Sequence, residues 1–356
     1  MGGAEVFTRE VAKRWVQAGH EVTLFTSEFP NGKREEVLDG VRVVRRGGKY
    51  SVYWNAERCY KNRFSKENYD IVVEGINTIP FFAPIYVTEP KLSLIFQLTG
   101  EVFSKVFPKP IAASARYMEP HVYKMLYRKM AALVLSSSVK DELVKIGFMP
   151  TGVHVAEPGV DYRYYRPGVK TEYPSILYLN RMAPYKNVDH AIRAFEMVKQ
   201  RVPSAKLYIV GCRGTKYESD LKRLACRLKL VDSVEFGDFV QGGLKRRFLQ
   251  MAWVHVLPST KEGWGISVLE AAACGTPTAA YDVIGLRDSV KNMETGLLVP
   301  FNNVNALTDA ITEILITEEL RSKMSRGAIK WAKHFSWKQT ASKALSAIEY
   351  AMDHYN

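Results

Sequence analysis

Residues 252–275 read AWVHVLPSTKEGWGISVLEAAACG. The apolar run Val254-His255-Val256-Leu257, stopped by Pro258, suits a strand of a parallel sheet that is covered on both faces. A polar loop leads to Gly265, and the apolar-periodic stretch that follows predicts a helix over 266–274, ended by Gly275. Strand, loop and helix in this order belong to an open α/β sheet, where ligands bind beyond the carboxyl ends of the strands. Glu262 falls in the loop and Glu270 about one turn into the helix, so both acids face that space. The backbone N–H groups of Gly265, Ile266 and Ser267 have no partner within the helix and suit phosphate or sugar oxygens.

The same alternation runs through the whole chain. Strand patterns at 21–26, 40–46, 69–74, 92–97 and 131–137 accompany helical stretches at 4–18 and 139–146. After Pro167 the pattern restarts, with strands at 175–179, 206–210, 233–236, 276–281 and 296–299. Helices there are read after an Asn187 cap, at 217–228 and 244–251, and from Asn305 and Glu318 onward. A chain of 356 residues is too long for one ordinary core. Two doubly wound parallel-sheet domains are therefore expected, divided within 161–170.

Composition narrows the function. At 47% hydrophobic and 24% charged the chain is globular. Its four cysteines include no C-x-x-C pair, which suits reduced thiols of a cytoplasmic protein rather than a disulfide frame or zinc site. No apolar run approaches the ~20 residues that span a bilayer. Net charge is +13, which favours anionic partners, and no nucleic-acid fingerprint accompanies it. A diphosphate ligand or an anionic membrane remains. Between 105 and 129, six basic residues (Lys105, Lys109, Arg116, Lys124, Arg128, Lys129) face one acid, Glu119. Phe103, Val106, Phe107, Tyr117, Tyr123 and Tyr127 interleave with them, as suits a peripheral membrane contact. No G-x-G-x-x-G follows a strand, which argues against a dinucleotide oxidoreductase.

The spacing Glu-x7-Glu within E-G-W-G-I-S-V-L-E-A-x-A-C-G-T-P closely resembles the donor-site signature of retaining GT-B glycosyltransferases of glycosyltransferase family 4, and the likeness extends over nearly the whole chain. It implies two Rossmann-like domains with a cleft between them: an acceptor-side domain over 1–165, to which a last helix at 337–356 returns, and a donor domain over 166–336. Asn180-Arg181-Met182-Ala183-Pro184-Tyr185-Lys186-Asn187 resembles the family's G-R-x-x-x-x-K-G turn, whose Arg and Lys bind the donor diphosphate. Asn180 and Asn187 stand where glycines are usual, and both tolerate left-handed backbone. The chemistry asks for such cations, because charge builds on the β-phosphate as the nucleotide leaves. No D-x-D occurs, so the resemblance implies a site in which Arg181 and Lys186 replace a metal and no cofactor is needed.

By the same resemblance Glu270 bonds the ribose hydroxyls and Glu262 sits near the transferred sugar. Gly263, Trp264, Gly265, Ile266 and Ser267 shape the pocket, and Gly211 and Val240 flank the base. Gly2 and Gly3 match a glycine loop that approaches the donor phosphates. Residues 98–103 match a segment that usually carries a histidine; here Gln97, Thr99 and Glu101 are the acceptor-side candidates and no histidine is near. His20, His154 and His255 read as structural. The implied activity is transfer of a hexose from a UDP, GDP or ADP sugar to a hydroxyl acceptor (a glycan, glycolipid or lipid-linked sugar), with retention, at the inner face of a membrane. A sugar phosphorylase, an epimerase and a catalytically silent sugar-nucleotide-binding protein are the alternatives. A strand normally precedes the glycine loop in this family; with Met1 directly before Gly2, a segment 10–20 residues upstream, or a neighbouring one, is expected to supply it.

Overall fold

The computed structural model describes residues 2–355, which form two compact units. The first comprises 1–100, 113–158 and 337–356, and the second 101–112 and 159–336.

In the first unit the helix Gly3–Gln17 leads to strands β1 (Thr23–Thr26), β2 (Glu35–Leu38) and β3 (Val41–Arg45). These pair in the order β1-β3-β2, with β1 and β3 parallel and β2 antiparallel to β3. Strand β2 escapes the sequence reading because only Glu36 of its EEVL is even half-buried while Val37 and Leu38 face solvent, so no apolar signal marks it. The helix Val52–Asn62 was also missed, although Val52, Ala56 and Tyr60 bury one face at fourfold spacing. A separate parallel sheet takes the order β4-β5-β6-β7, from β4 (Val72–Ile76), β5 (Lys91–Ile95), β6 (Ala131–Val134) and β7 (Val153–Val155). The expected strand over 131–137 is thus shorter, because Ser136 accepts from the Val139 N–H at 3.3 Å and starts the helix Ser137–Lys145.

Among the described residues no ladder joins β1 to β4, so each offers one unpaired edge. Side chains connect the neighbourhoods instead: Arg42 pairs with Glu67 at 2.8 Å, and Phe25 meets Phe64 edge-on at 6.1 Å. The last helix, Trp337–Asp353, packs on the first, where Trp15 Nε1 donates to Ala341 O at 3.1 Å.

The second unit is built on six parallel strands: β8 (Ser175–Leu179), β9 (Lys206–Cys212), β10 (Val234–Asp238), β11 (Val254–Leu257), β12 (Thr278–Tyr281) and β13 (Gly296–Val299). Their order is β10-β9-β8-β11-β12-β13. The chain moves outward from β8 to β10, then crosses back and moves outward the other way from β11 to β13. The strand order therefore reverses between β8 and β11. Val254 and Val256 of β11 and Ile176 and Tyr178 of β8 lie in one core with the helix Val188–Arg201. His255, between them on β11, is fully buried on the other face of the sheet, and burial pushes its imidazole down to about 3; its Nδ1 lies 3.2 Å from Thr278 Oγ1.

Candidate functional site

A reversal of strand order opens a crevice, because the loops after the two central strands leave in opposite directions. Here those loops are 180–187 after β8 and 258–265 after β11, and polar contacts tie them together. Tyr185 O accepts from the Thr260 N–H at 2.8 Å. Asn187 is left-handed at φ 47°, as a residue in a glycine's place must be, but it does not cap the following helix with its side chain. Its Nδ2 donates instead to Pro258 O at 2.8 Å and Thr260 Oγ1 at 3.1 Å. The expected cap is replaced by a cross-loop tie, since left-handed backbone turns the amide away from the helix N–H groups.

The tie fixes two charges. Lys186 Nζ lies 2.5 Å from Glu262 Oε1, with both side chains about nine-tenths buried. Ser259 Oγ donates to the same oxygen at 2.7 Å. Tyr178, buried beneath, has its phenol pushed up by burial and by the Glu262 charge. Arg181 behaves differently: it is exposed, and its Nη2 donates to Tyr185 Oη at 2.5 Å. The crevice thus holds one buried cation paired with an acid and one exposed cation bonded to Tyr185.

Backbone proximity sets the walls. Gly211, at the end of β9, has φ +132°, and a Cβ there would lie 2.2 Å from Asn180 O. Gly265 has φ +100° and heads the helix Ile266–Ala273, leaving its first N–H groups open. A Cβ on Gly285 would meet Glu262 O at 2.2 Å, so the loop after β12 is pressed against the acid's backbone. Gly263 and Ile266 line the same turn. Val240 is half-buried against the Tyr208 and Leu249 cluster, and Arg213 stacks over Phe239 beside it at 4.4 Å.

Glu270 is buried on the same short helix, and Lys245 from the helix Gly242–Met251 reaches it. Lys245 Nζ stands 2.6 Å from Oε1 and 2.5 Å from Oε2. The Tyr165 hydroxyl also bonds this carboxylate. Buried polar atoms are nearly always hydrogen-bonded, and exceptions call for a reason. Two exceptions stand within four residues here: Trp264 Nε1 and Ser267 Oγ. Among the described residues, no group of three or more His, Cys, Asp or Glu side chains is arranged to hold a metal ion.

In the first unit, Glu5 Oε2 accepts from the Gly2 N–H at 2.7 Å, and Gly3 begins the helix. Gln97 is half-buried; Thr99 is buried with its Oγ1 unpartnered. Glu101 is exposed and belongs to the second unit. Glu119, counted from sequence among surface charges, is buried and accepts from the Thr99 and Gly100 N–H groups at 2.7 and 2.8 Å. Phe103, Tyr123 and Tyr127 are buried too, so they do not join the basic surface the sequence suggested. Glu74, at the end of β4, was overlooked: burial pushes its carboxyl up to about 7, although the Tyr127 hydroxyl and the Phe81 and Ala83 N–H groups donate to it. Sequence reasoning also missed Lys245, Ser259 and Tyr165, which reach the acids across 25, 3 and 105 residues and carry no local signal.

Two family models match the chain: glycosyltransferase family 4 over residues 1–164 and glycosyl transferases group 1 over 166–331. A D-inositol 3-phosphate glycosyltransferase of Saccharomonospora viridis is 31% identical over 239 residues, covering 62% of this chain and 56% of that one. The chain thus spans little more than half the length of that relative. Among solved structures, sucrose-phosphate synthase from Thermosynechococcus elongatus superposes with a TM-score of 0.83 at 21% identity, over 98% of this chain and 93% of that one. Anabaena HepE in complex with UDP-glucose gives 0.76 at 14% identity, over 98% and 96%.

Proposed function

The chain belongs to the group 1, family 4 glycosyltransferases, with the fold of GT-B enzymes, and from that premise we propose that it moves a hexose from a nucleotide-diphosphate sugar to a hydroxyl acceptor, with retention and without a metal. The observation that carries this is the crevice between β8 and β11, where a buried ammonium, an exposed guanidinium and unpartnered buried polar atoms converge.

The donor diphosphate lies across the Arg181 fork and the Lys186 ammonium. Glu262 engages one of the three Lys186 N–H bonds, so two remain for phosphate oxygens. As the sugar–oxygen bond breaks, both cations stabilise the charge that gathers on the β-phosphate. The open N–H groups of Gly265, Ile266 and Ser267 add fixed dipoles of the same sign. Glu262, held by Lys186 and Ser259, presents its second oxygen to the sugar. The acceptor attacks from the leaving-group side, and the β-phosphate takes its proton; the segment 97–103 carries no histidine to do so. HepE was solved with UDP-glucose, which favours a uridine donor.

The acceptor end lies near an anionic membrane. Tyr117, Met118 and Met125 of the first unit are each more than half exposed, among Arg116, Lys124, Arg128 and Lys129. With Glu119 turned inward, that surface carries no acid of its own segment.

A thermal-shift panel of UDP, GDP and ADP sugars tests the donor reading. At 100 times its Kd the right nucleotide adds about 2.7 kcal/mol of stability. Subsequent transfer to polyprenyl or glycan acceptors, followed by anomer-resolved NMR, tests the reaction. Binding without transfer or hydrolysis would instead assign a sugar-nucleotide-binding protein.

A further inference from the structure

Lys245 has no part in the chemistry described above, yet it contacts both oxygens of Glu270 within 2.6 Å. A lysine that merely neutralised a surface acid would leave both groups hydrated. Here Glu270 is 6% exposed and the Lys245 side chain 22%, and the ammonium bridges both carboxylate oxygens, each of which keeps a further lone pair to offer. The ammonium donates to Oε1 and lies over the Tyr165 ring at 5.8 Å, leaving donor capacity unspent at the crevice side.

We propose that Lys245 is a donor-binding residue that reads the ribose of the nucleotide together with Glu270. This rests on the reading of the crevice as the nucleotide-sugar site. A ribose hydroxyl both donates and accepts, so a carboxylate alone can satisfy only half of it. Glu270 Oε2 accepts the hydroxyl hydrogen, and the Lys245 ammonium donates to the hydroxyl oxygen. Neighbouring 2′ and 3′ hydroxyls present this pattern twice in one plane, which matches a two-oxygen acid bridged by a cation. A nucleotide lacking both hydroxyls leaves the remaining lone pairs of Glu270 and the remaining N–H of Lys245 unmet in a buried pocket, so such analogues bind less well.

Isothermal titration of UDP and 2′,3′-dideoxy-UDP tests it, with wild type, Lys245→Met, Lys245→Arg and Glu270→Gln. The expected wild-type preference for UDP is roughly ten- to a hundredfold, as for loss of paired buried hydrogen bonds. Lys245→Met should bring the ratio below about threefold while Lys245→Arg keeps most of it, since Arg also donates. Should Lys245→Met fail to fold because Glu270 is left unpaired, Glu270→Gln is compared with the double variant Lys245→Met/Glu270→Gln. A residual preference in the single variant that disappears in the double supports the proposal, and equal ratios overturn it. An undiminished wild-type ratio in Lys245→Met, with loss in Glu270→Gln, also overturns it and leaves the Glu270 assignment standing. If wild type binds neither UDP nor GDP nor ADP, the reading of the crevice itself fails.

Discussion

Replacing Lys186 by methionine separates two roles that the structure gives to one side chain. The pair with Glu262 is 2.5 Å long, and the two side chains are 8% and 11% exposed. Removing one partner of such a pair strands a buried charge, which costs about 3–5 kcal/mol, whereas replacing both by neutral groups is often close to neutral. Ser259 still donates to Glu262, so the lower end of that range applies. For a unit of this size, each kcal/mol shifts the midpoint by roughly 2–4 °C, which predicts a loss on the order of 10 °C in the transition of the second unit. Lys186→Met/Glu262→Gln should recover most of it. Transfer should not recover, because the preorganised cation is gone and about 2–4 kcal/mol of transition-state stabilisation goes with it. The assays are differential scanning calorimetry and single-turnover transfer on the wild type, both single variants and the double. An unchanged midpoint in Lys186→Met would refute the buried pair; full activity in the double variant would refute the role of Lys186 in catalysis.

The remaining expectations concern other parts of the molecule. EDTA should leave transfer unchanged, and activity lost to chelator and restored by Mn²⁺ or Mg²⁺ would contradict the proposal of a metal-independent site. Burial holds His255 neutral, down to about 3, so the unfolded chain binds the extra proton first as pH falls below about 6.5. Its contribution is complete above that pH and should shrink by about 2 kcal/mol by pH 5, a fall that His255→Leu should remove in urea melts at both pH values. Gly211→Ala places a Cβ 2.2 Å from Asn180 O at a φ of +132°, so it should lower nucleotide affinity and midpoint together, by about 1–3 kcal/mol in stability. Vesicles of anionic lipid should carry the protein upward in a flotation gradient at low salt and release it at high salt; Met125→Asp should weaken flotation, and equal flotation with neutral vesicles would show that charge plays no part.

Much of the donor half is legible in its sequence because parallel strands buried on both faces are continuous apolar runs with sharp ends. Val254–Leu257 is bounded by Pro258, and the helix after it runs to Gly275, which adopts φ +70°. The six-strand alternation fixes the fold class by the same signal, and Gly265 and Asn187 announce left-handed backbone by their residue type. Edge strand β2 and the helix Val52–Asn62 lack that signal, since each is half solvated and short. Likewise nothing in sequence distinguishes Glu119, turned inward onto the Thr99 and Gly100 N–H groups, from a solvated acid on the same helix.

The partners of the two acids were decided only by tertiary structure. Sequence spacing puts Glu262 and Glu270 beside one crevice, because loop and helix follow directly from β11. It says nothing of Lys186 76 residues away or Lys245 25 residues away. Those pairings depend on the reversal of strand order between β8 and β11, which brings the loop at 180–187 against the loop at 258–265. They also depend on the packing of the helix Gly242–Met251 beside the helix Ile266–Ala273. Local propensity is written in consecutive residues, whereas charge pairing in a buried crevice is a property of which strands become neighbours.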